Sequence, residues 1–306
     1  MTSLKSKLTL VRELSKSGIV ALVLISVLGG FLAGHPFERP LEWSRLGLTL
    51  LGILLLASGS SALNQYQERA IDATMPRTQK RPLPSGRITE TGALAFIAFT
   101  LVAGLIILTR VDIYLLVLGI LAVISYNGLY TLWWKKHWAY AAIPGAVPGA
   151  LPILMGYVAA DGHLGAPGGW YLFAILFFWQ MPHFWVLAIR FREDYRSGGI
   201  PTLPVAIGAQ PTVRQIVIWC LGYCALTLLA PVFMPVHSPY LICALAMSAK
   251  LLWELRFFAS NPAGIEDPQS KHWLRFFLWI NLSLIVYIGA AVADLWSIYL
   301  IPYFTR

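Results

Sequence analysis

Long apolar runs alternate with short polar breaks along the whole chain. A run of about 20 apolar residues is long enough to cross a bilayer as a helix. On that basis the pattern predicts nine spans, near 17–34, 43–63, 91–109, 112–131, 140–158, 170–189, 213–232, 238–257 and 273–293. The breaks are too short for a soluble domain, and the three longest polar stretches, roughly 64–90, 190–212 and 258–272, fall on one side of the arrangement. The expected fold is an all-α polytopic membrane protein, a single membrane-embedded domain over residues 1–306.

Composition agrees with this. The 306 residues are 58% hydrophobic and 12% charged, with mean hydropathy +0.67, against the roughly 25% charged residues of a soluble domain. Charge then orients the chain. Placing the N-terminus and alternate loops on one side gathers Lys5, Lys7, Arg12, Lys16, Arg69, Arg77, Lys80, Arg81, Arg87, Lys135, Lys136, Arg190, Arg192, Arg196, Arg214, Lys250, Arg256, Lys271 and Arg275, which is 19 of the 23 Lys and Arg. Only Arg39, Arg45, Arg110 and Arg306 fall opposite. The positive-inside bias makes the basic side cytoplasmic, with the N-terminus inside the cell inner membrane and the C-terminus on the other face. Topology therefore explains the net charge of +9, and the partner it implies is the lipid bilayer and not nucleic acid. The first 16 residues lack a small-residue cleavage site and are expected to remain as an uncleaved start. Cys220, Cys224 and Cys243 fall inside spans 7 and 8 with no His or third thiol nearby, so they predict packing rather than a redox or zinc site.

The richest polar stretch runs from Asn64 through Glu68 and Asp72 to Arg77, Lys80, Arg81 and Arg87. A spacing of four stacks Asn64, Glu68 and Asp72 on one helix face, about 6 Å apart along the axis. Oxygen ligands of this kind suit Mg²⁺, which takes one or two carboxylates, keeps some water and completes its shell with substrate phosphates. The cations downstream suit the phosphates themselves. A helix end projecting polar groups into water is the alternative.

A second acidic pair, Glu193 and Asp194, ends span 6 among Arg190, Arg192 and Arg196. Charges near a membrane mark function by default, and a local ion-pair network is the other reading. Both polar stretches open with acids and end in Pro and Gly, which suggests corresponding loops facing each other across a cavity. There Asn64, Glu68, Asp72, Glu193 and Asp194 would bind metal, with Arg77, Arg81, Lys135 and Arg192 on the diphosphate. His183, within Phe178-Trp179-Gln180-Met181-Pro182-His183-Phe184-Trp185, is either a packing histidine or a group that ligates haem iron or orients a flat aromatic acceptor. Pro182 is expected to kink that span and line a cavity. The small residues and prolines of Ile143 to Pro152 suggest close helix packing.

The segment NQYQERAIDATMPRTQKRPLPSGR, from Asn64 to Arg87, resembles the first signature of the UbiA superfamily of intramembrane prenyltransferases, N-x₃-D-x₃-D followed by R-T-x₂-R-P-L-x-x-G. WQMPHFWVLAIRFREDYRSGGIPTLPV and YTLWWKK resemble its haem-modifying branch. The resemblance implies nine helices around a central cavity, Mg²⁺ dependence, and farnesyl diphosphate and haem B as substrates. It further implies a prenylated haem for a downstream haem A synthase or terminal oxidase. Asp72, Glu68 and Asp194 would be catalytic and His183 a haem contact. Glu68 stands where the superfamily usually has Asp, and Glu193-Asp194 replaces a usual D-x₃-D. Prenylation of a phenolic precursor such as 4-hydroxybenzoate, and a non-catalytic haem scaffold or transporter, remain the competing expectations.

Overall fold

The computed structural model describes residues 4–261, 267 and 270–304. Every regular element among them is helical. An N-terminal α1 (Leu4–Leu14) meets α2 (Ser17–Ala33) at a 61° bend. Next come α3 (Trp43–Thr74), α4 (Glu90–Val111) and α5 (Ile113–Val123), which passes into a π-helix (Ile124–Trp134) and a last turn, α6 (Lys135–His137). Then follow α7 (Ala142–Asp161), α8 (Pro167–Arg190), the short α9 (Arg192–Ser197) and α10 (Leu203–Ile207), α11 (Ala209–Leu228), α12 (Ala230–Phe233), α13 (Ser238–Ala259) and α14 (Lys271–Phe304).

Each of the nine predicted spans is occupied by a helix. Seven helices are long and apolar enough to cross a membrane, and eight if the bent pair α1 and α2 counts as one more. The expected nine is not reached by that measure, because Lys250, Glu254 and Arg256 dilute the second half of α13. Outward-facing Leu22, Phe99, Ile218 and Ile242 are each 60% or more exposed. On a chain with this many apolar helices such a surface faces lipid tails, and the protein is a multi-pass membrane protein. Residues 262–266 and 268–269 of the polar stretch 258–272, and Arg306, lie outside the described residues.

Local chemistry sets where helices start and stop. The Thr89 hydroxyl accepts from Gly92 N–H at the start of α4, and the Asp112 carboxylate accepts from Tyr114 N–H at the start of α5. These caps occupy N–H groups that a first turn leaves without partners. Between helices, small residues allow backbone contact. A Cβ on Gly30 of α2 would stand 2.0 Å from the Ile153 carbonyl oxygen of α7, and one on Gly156 of α7 would stand 2.1 Å from the Val27 carbonyl oxygen. These backbone contacts lie just beyond the run Ile143 to Pro152 predicted for close packing, in which Gly145 and Gly149 are approached instead by the side chains of Tyr130 and Gln180.

Helices α8, α11, α13 and α14 enclose a second core around Trp185, Tyr223, Tyr240 and Tyr287. The tyrosine hydroxyls there find partners, as hydrocarbon surroundings require, whereas the buried Trp185 Nε1 has none among the described residues. Tyr171 and Tyr240 hydroxyls meet at 3.2 Å, Ser248 and Tyr287 at 2.7 Å, and Tyr223 and Ser283 at 3.2 Å. Cys220 and Cys224 are buried free thiols in the same core, as expected for packing. Glu254, almost fully buried, joins α13 to α14 by accepting from Lys250 at 2.5 Å and Arg275 at 2.7 Å.

The α2–α7 contact generates a stability prediction. Gly156→Val forces the two backbones apart and should cost about 1–3 kcal/mol, read as a lower Tm of the protein in detergent. An unchanged Tm would show that the backbones do not touch.

Candidate active site

The final turns of α3 bring Asn64, Glu68 and Asp72 onto one face, 2%, 5% and 0% exposed. Burying carboxylates demands compensation, and each rung receives it from a different part of the chain. Lys16 Nζ donates to Asn64 Oδ1 at 2.6 Å. Lys135 Nζ donates to Glu68 Oε1 at 2.6 Å. Arg81 Nη1 donates to both Asp72 oxygens, at 2.8 and 2.7 Å. The buried Thr78 hydroxyl donates to the Asp72 carbonyl at 2.9 Å, pinning the loop that carries Arg81 to the end of α3. Arg81 and Lys135 thus match the two carboxylates, and Lys16 brings a further basic group to the amide. That is the electrostatic setting for a polyanion.

Lys16 was legible in the sequence only as one of the topogenic charges. Its single sequence signal is its place as the last cation before span 1. The structure puts it in the bend between α1 and α2 with φ 52° and ψ 51°, a left-handed conformation that costs a non-glycine residue about 1–3 kcal/mol. Burial pushes its ammonium down to about 7, with repulsion from Arg81 working in the same direction and Glu68 opposing it. Its partner Asn64 lies 48 residues away, so no local pattern announces the contact.

The second acidic pair divides. Asp194 meets Arg77 at 3.7 Å, and the Arg77 guanidinium also lies over the rings of Phe191, at 5.1 Å, and Tyr195, at 6.0 Å. Arg77 therefore ties the loop after α3 to α9, and the two polar stretches do meet. Glu193 instead takes Arg196 at 2.6 Å with its side chain 75% exposed, so it is not brought to the ladder. Arg192 opens α9 beside them. Between the π-helix and α8 to α10 lies an open recess lined by Tyr130, Lys135, Phe184, Tyr195 and Thr202 among others. Tyr126 stacks on Tyr130 at 5.9 Å, extending an aromatic wall from it.

His183 sits farther along α8. Its ring is stacked between Trp179, at 4.5 Å, and Phe277 of α14, at 5.4 Å, and its buried Nδ1 has no hydrogen-bond partner among the described residues. Its neighbours are these rings and Asn281 of α14, with which it shares a side-chain hydrogen bond, and none is a member of the carboxylate ladder. Pro182 lies within the continuous α8.

The donor set is chemically suited to a hard cation: carboxylate and amide oxygens, with no thiol or imidazole at the ladder. Among the described residues no three His, Cys, Asp or Glu side chains stand together closely enough to hold a metal unaided. A Mg²⁺-type site needs only one or two carboxylates when phosphate and water complete the shell, so the residues fit such an ion.

Comparison with known proteins places this arrangement. Residues 22–281 match the model of the UbiA prenyltransferase family. A protoheme IX farnesyltransferase of Bdellovibrio bacteriovorus is 42% identical over 93% of this chain and 96% of its own, and one from Aquifex aeolicus is 36% identical over 92% and 94%. Among solved structures, a digeranylgeranylglyceryl phosphate synthase superposes with TM-score 0.76 at 18% identity, covering 94% of this chain and 98% of that one. A UbiA homolog from Archaeoglobus fulgidus bound to GPP and Mg²⁺ does so with TM-score 0.64 at 16% identity, covering 93% and 99%. The structural neighbours establish the fold, and the sequence matches across most of the chain establish descent: this protein belongs to the UbiA prenyltransferase family.

Proposed function

We propose that this chain transfers a farnesyl group from farnesyl diphosphate to a vinyl group of haem B, giving haem O. The observation that carries the chemistry is the buried Asn64, Glu68 and Asp72 ladder held among Lys16, Lys135 and Arg81. The choice of acceptor is supported by the relatives named protoheme IX farnesyltransferase. The basic loops face the cytoplasm in this reading, in the inner membrane of the cell, and the product passes to a haem A synthase or terminal oxidase.

Asn64, Glu68, Asp72 and Asp194 would hold Mg²⁺, which when bound supplies Lewis-acid neutralisation of charge on the departing diphosphate. Lys16, Arg77, Arg81 and Lys135 take the remaining phosphate charge, with Arg192 at the rim. Arg77, Arg81 and Lys135 are preorganised by carboxylate partners and Lys16 by the Asn64 amide, so little rearrangement is needed when charge develops on the leaving group. The allylic C–O bond breaks and its electron pair leaves with diphosphate. The haem vinyl group then forms the new C–C bond to the allylic carbon. Water adds to the resulting haem-side cation and loses a proton, which yields a hydroxyethylfarnesyl group. Tyr126, Tyr130 and Phe184 shield the first cation from water. No protein nucleophile is required, and His183 in its aromatic slot orients the flat acceptor.

Three outcomes test this reading. Asp72→Asn keeps the shape of the side chain and should lower haem O formation by about a hundredfold or more, measured by mass spectrometry of haems extracted from expressing cells at equal protein abundance; wild-type levels would remove Asp72 from the site. Chelation of divalent cations should abolish diphosphate release by the purified protein, and added Mg²⁺ should restore it; turnover persisting in chelator would sink the metal assignment. Offered farnesyl diphosphate with either haem B or 4-hydroxybenzoate, membranes should prenylate only the haem. Prenylated hydroxybenzoate would favour the phenolic reading.

A further inference from the structure

The carboxylate ladder is one strand of a longer polar zipper. Ser60, Asn64 and Glu68 of α3 contact Asn127, Thr131 and Lys135, and in each pair the two residues are 67 apart in sequence. A constant offset with a step of four means that the two elements run in the same direction and advance together, so one contact fixes the register of all three. The rung farthest from the charged end is the most fully bonded. Ser60 Oγ donates to Asn127 Oδ1 at 2.6 Å, and Asn127 Nδ2 donates to the Ser60 carbonyl at 2.9 Å and to Gln67 Oε1 at 3.3 Å. Gln67 Nε2 in turn donates to the Asn127 carbonyl at 3.1 Å. Asn127 is 2% exposed and Thr131 fully buried.

The partner strand of this zipper is the π-helix, 11 residues from Ile124 to Trp134. Such geometry ordinarily occurs as a single turn and collects at functional sites. Here it immediately precedes Lys135. Packing of apolar side chains would hold two helices together without naming a register, whereas a buried amide with specific partners selects one. A slip of one residue would offer Trp134 or Lys136 to Glu68 in place of Lys135.

We infer that Asn127 is a positioning residue: by locking the π-helix to α3 through Ser60 and Gln67, it sets Lys135 on Glu68 and so shapes the diphosphate half of the site. The inference rests on the proposed assignment of Lys135 to the diphosphate and adds a residue that touches neither substrate.

The test compares the full chain in nanodiscs with Asn127→Ala, Lys135→Ala and the double variant, determining KM for farnesyl diphosphate and for haem B separately. Asn127→Ala should lower kcat/KM for farnesyl diphosphate roughly three- to tenfold, the scale of an interhelical hydrogen-bond set in a membrane, while KM for haem B stays constant. On the Lys135→Ala background the same substitution should change kcat/KM less than about twofold, since it acts through Lys135. An equal loss on both backgrounds, or parallel changes in both KM values, would make Asn127 a packing residue only and overturn the inference. A silent Lys135→Ala would instead overturn the assignment of Lys135 to the diphosphate, and the inference with it. If Asn127→Ala does not accumulate, Gln67→Leu removes two of the four bonds and carries the same comparison.

Discussion

The rest of the site depends on one constraint: carboxylates on the buried face of a membrane helix must be met by cations. Two ionised groups brought out of water repel every arrangement that leaves them unpaired, and losing one partner of a buried pair costs about 3–5 kcal/mol. Glu68 and Asp72 on α3 therefore dictate where two other segments go, and the Asn64 amide on the same face takes a third. Lys16 brings in the bend between α1 and α2, Lys135 the end of the π-helix, and Arg81 the loop after α3. The polar site is a structural joint as well as a chemical one.

The same joint explains how the two polar stretches come to share a location. Arg77 joins the loop after α3 to α9, paired with Asp194 and stacked over Phe191 and Tyr195. Arg77 and Arg81 belong to one loop pinned by Thr78 to the end of α3, so that loop carries partners for both Asp72 and Asp194. Glu193, one residue away, points to solvent and pairs within its own helical turn. On a helix adjacent side chains diverge by about 100°, so only one of two neighbouring acids can face a given site.

Much of the fold was legible because the bilayer imposes a length and a polarity on every segment. Helices occupy all nine apolar runs, although α13 is too polar in its second half to count as a span by the same measure. The four-residue ladder was legible for a similar reason: a spacing of four on a helix has one geometric meaning. His183 could be singled out as an imidazole in an aromatic run, but its slot between Trp179 and Phe277 depends on α14, nearly a hundred residues on. The π-helix was not legible, since Ile124 to Trp134 carries no Pro and its Asn127-Gly128 pair does not distinguish one helical hydrogen-bonding pattern from another.

By itself, then, the sequence determined the helical membrane class, the side on which the basic loops gather, and the oxygen-rich face of α3. Those properties follow from residue-by-residue transfer energies and from a fixed helical repeat, which are local. Only the tertiary structure decided that Lys16 meets Asn64, that Asp194 and not Glu193 pairs with Arg77, and that α3 and the π-helix keep a common register. Each of these is a pairing between residues distant in the chain, and which cation meets which buried carboxylate is settled only when the helices have packed.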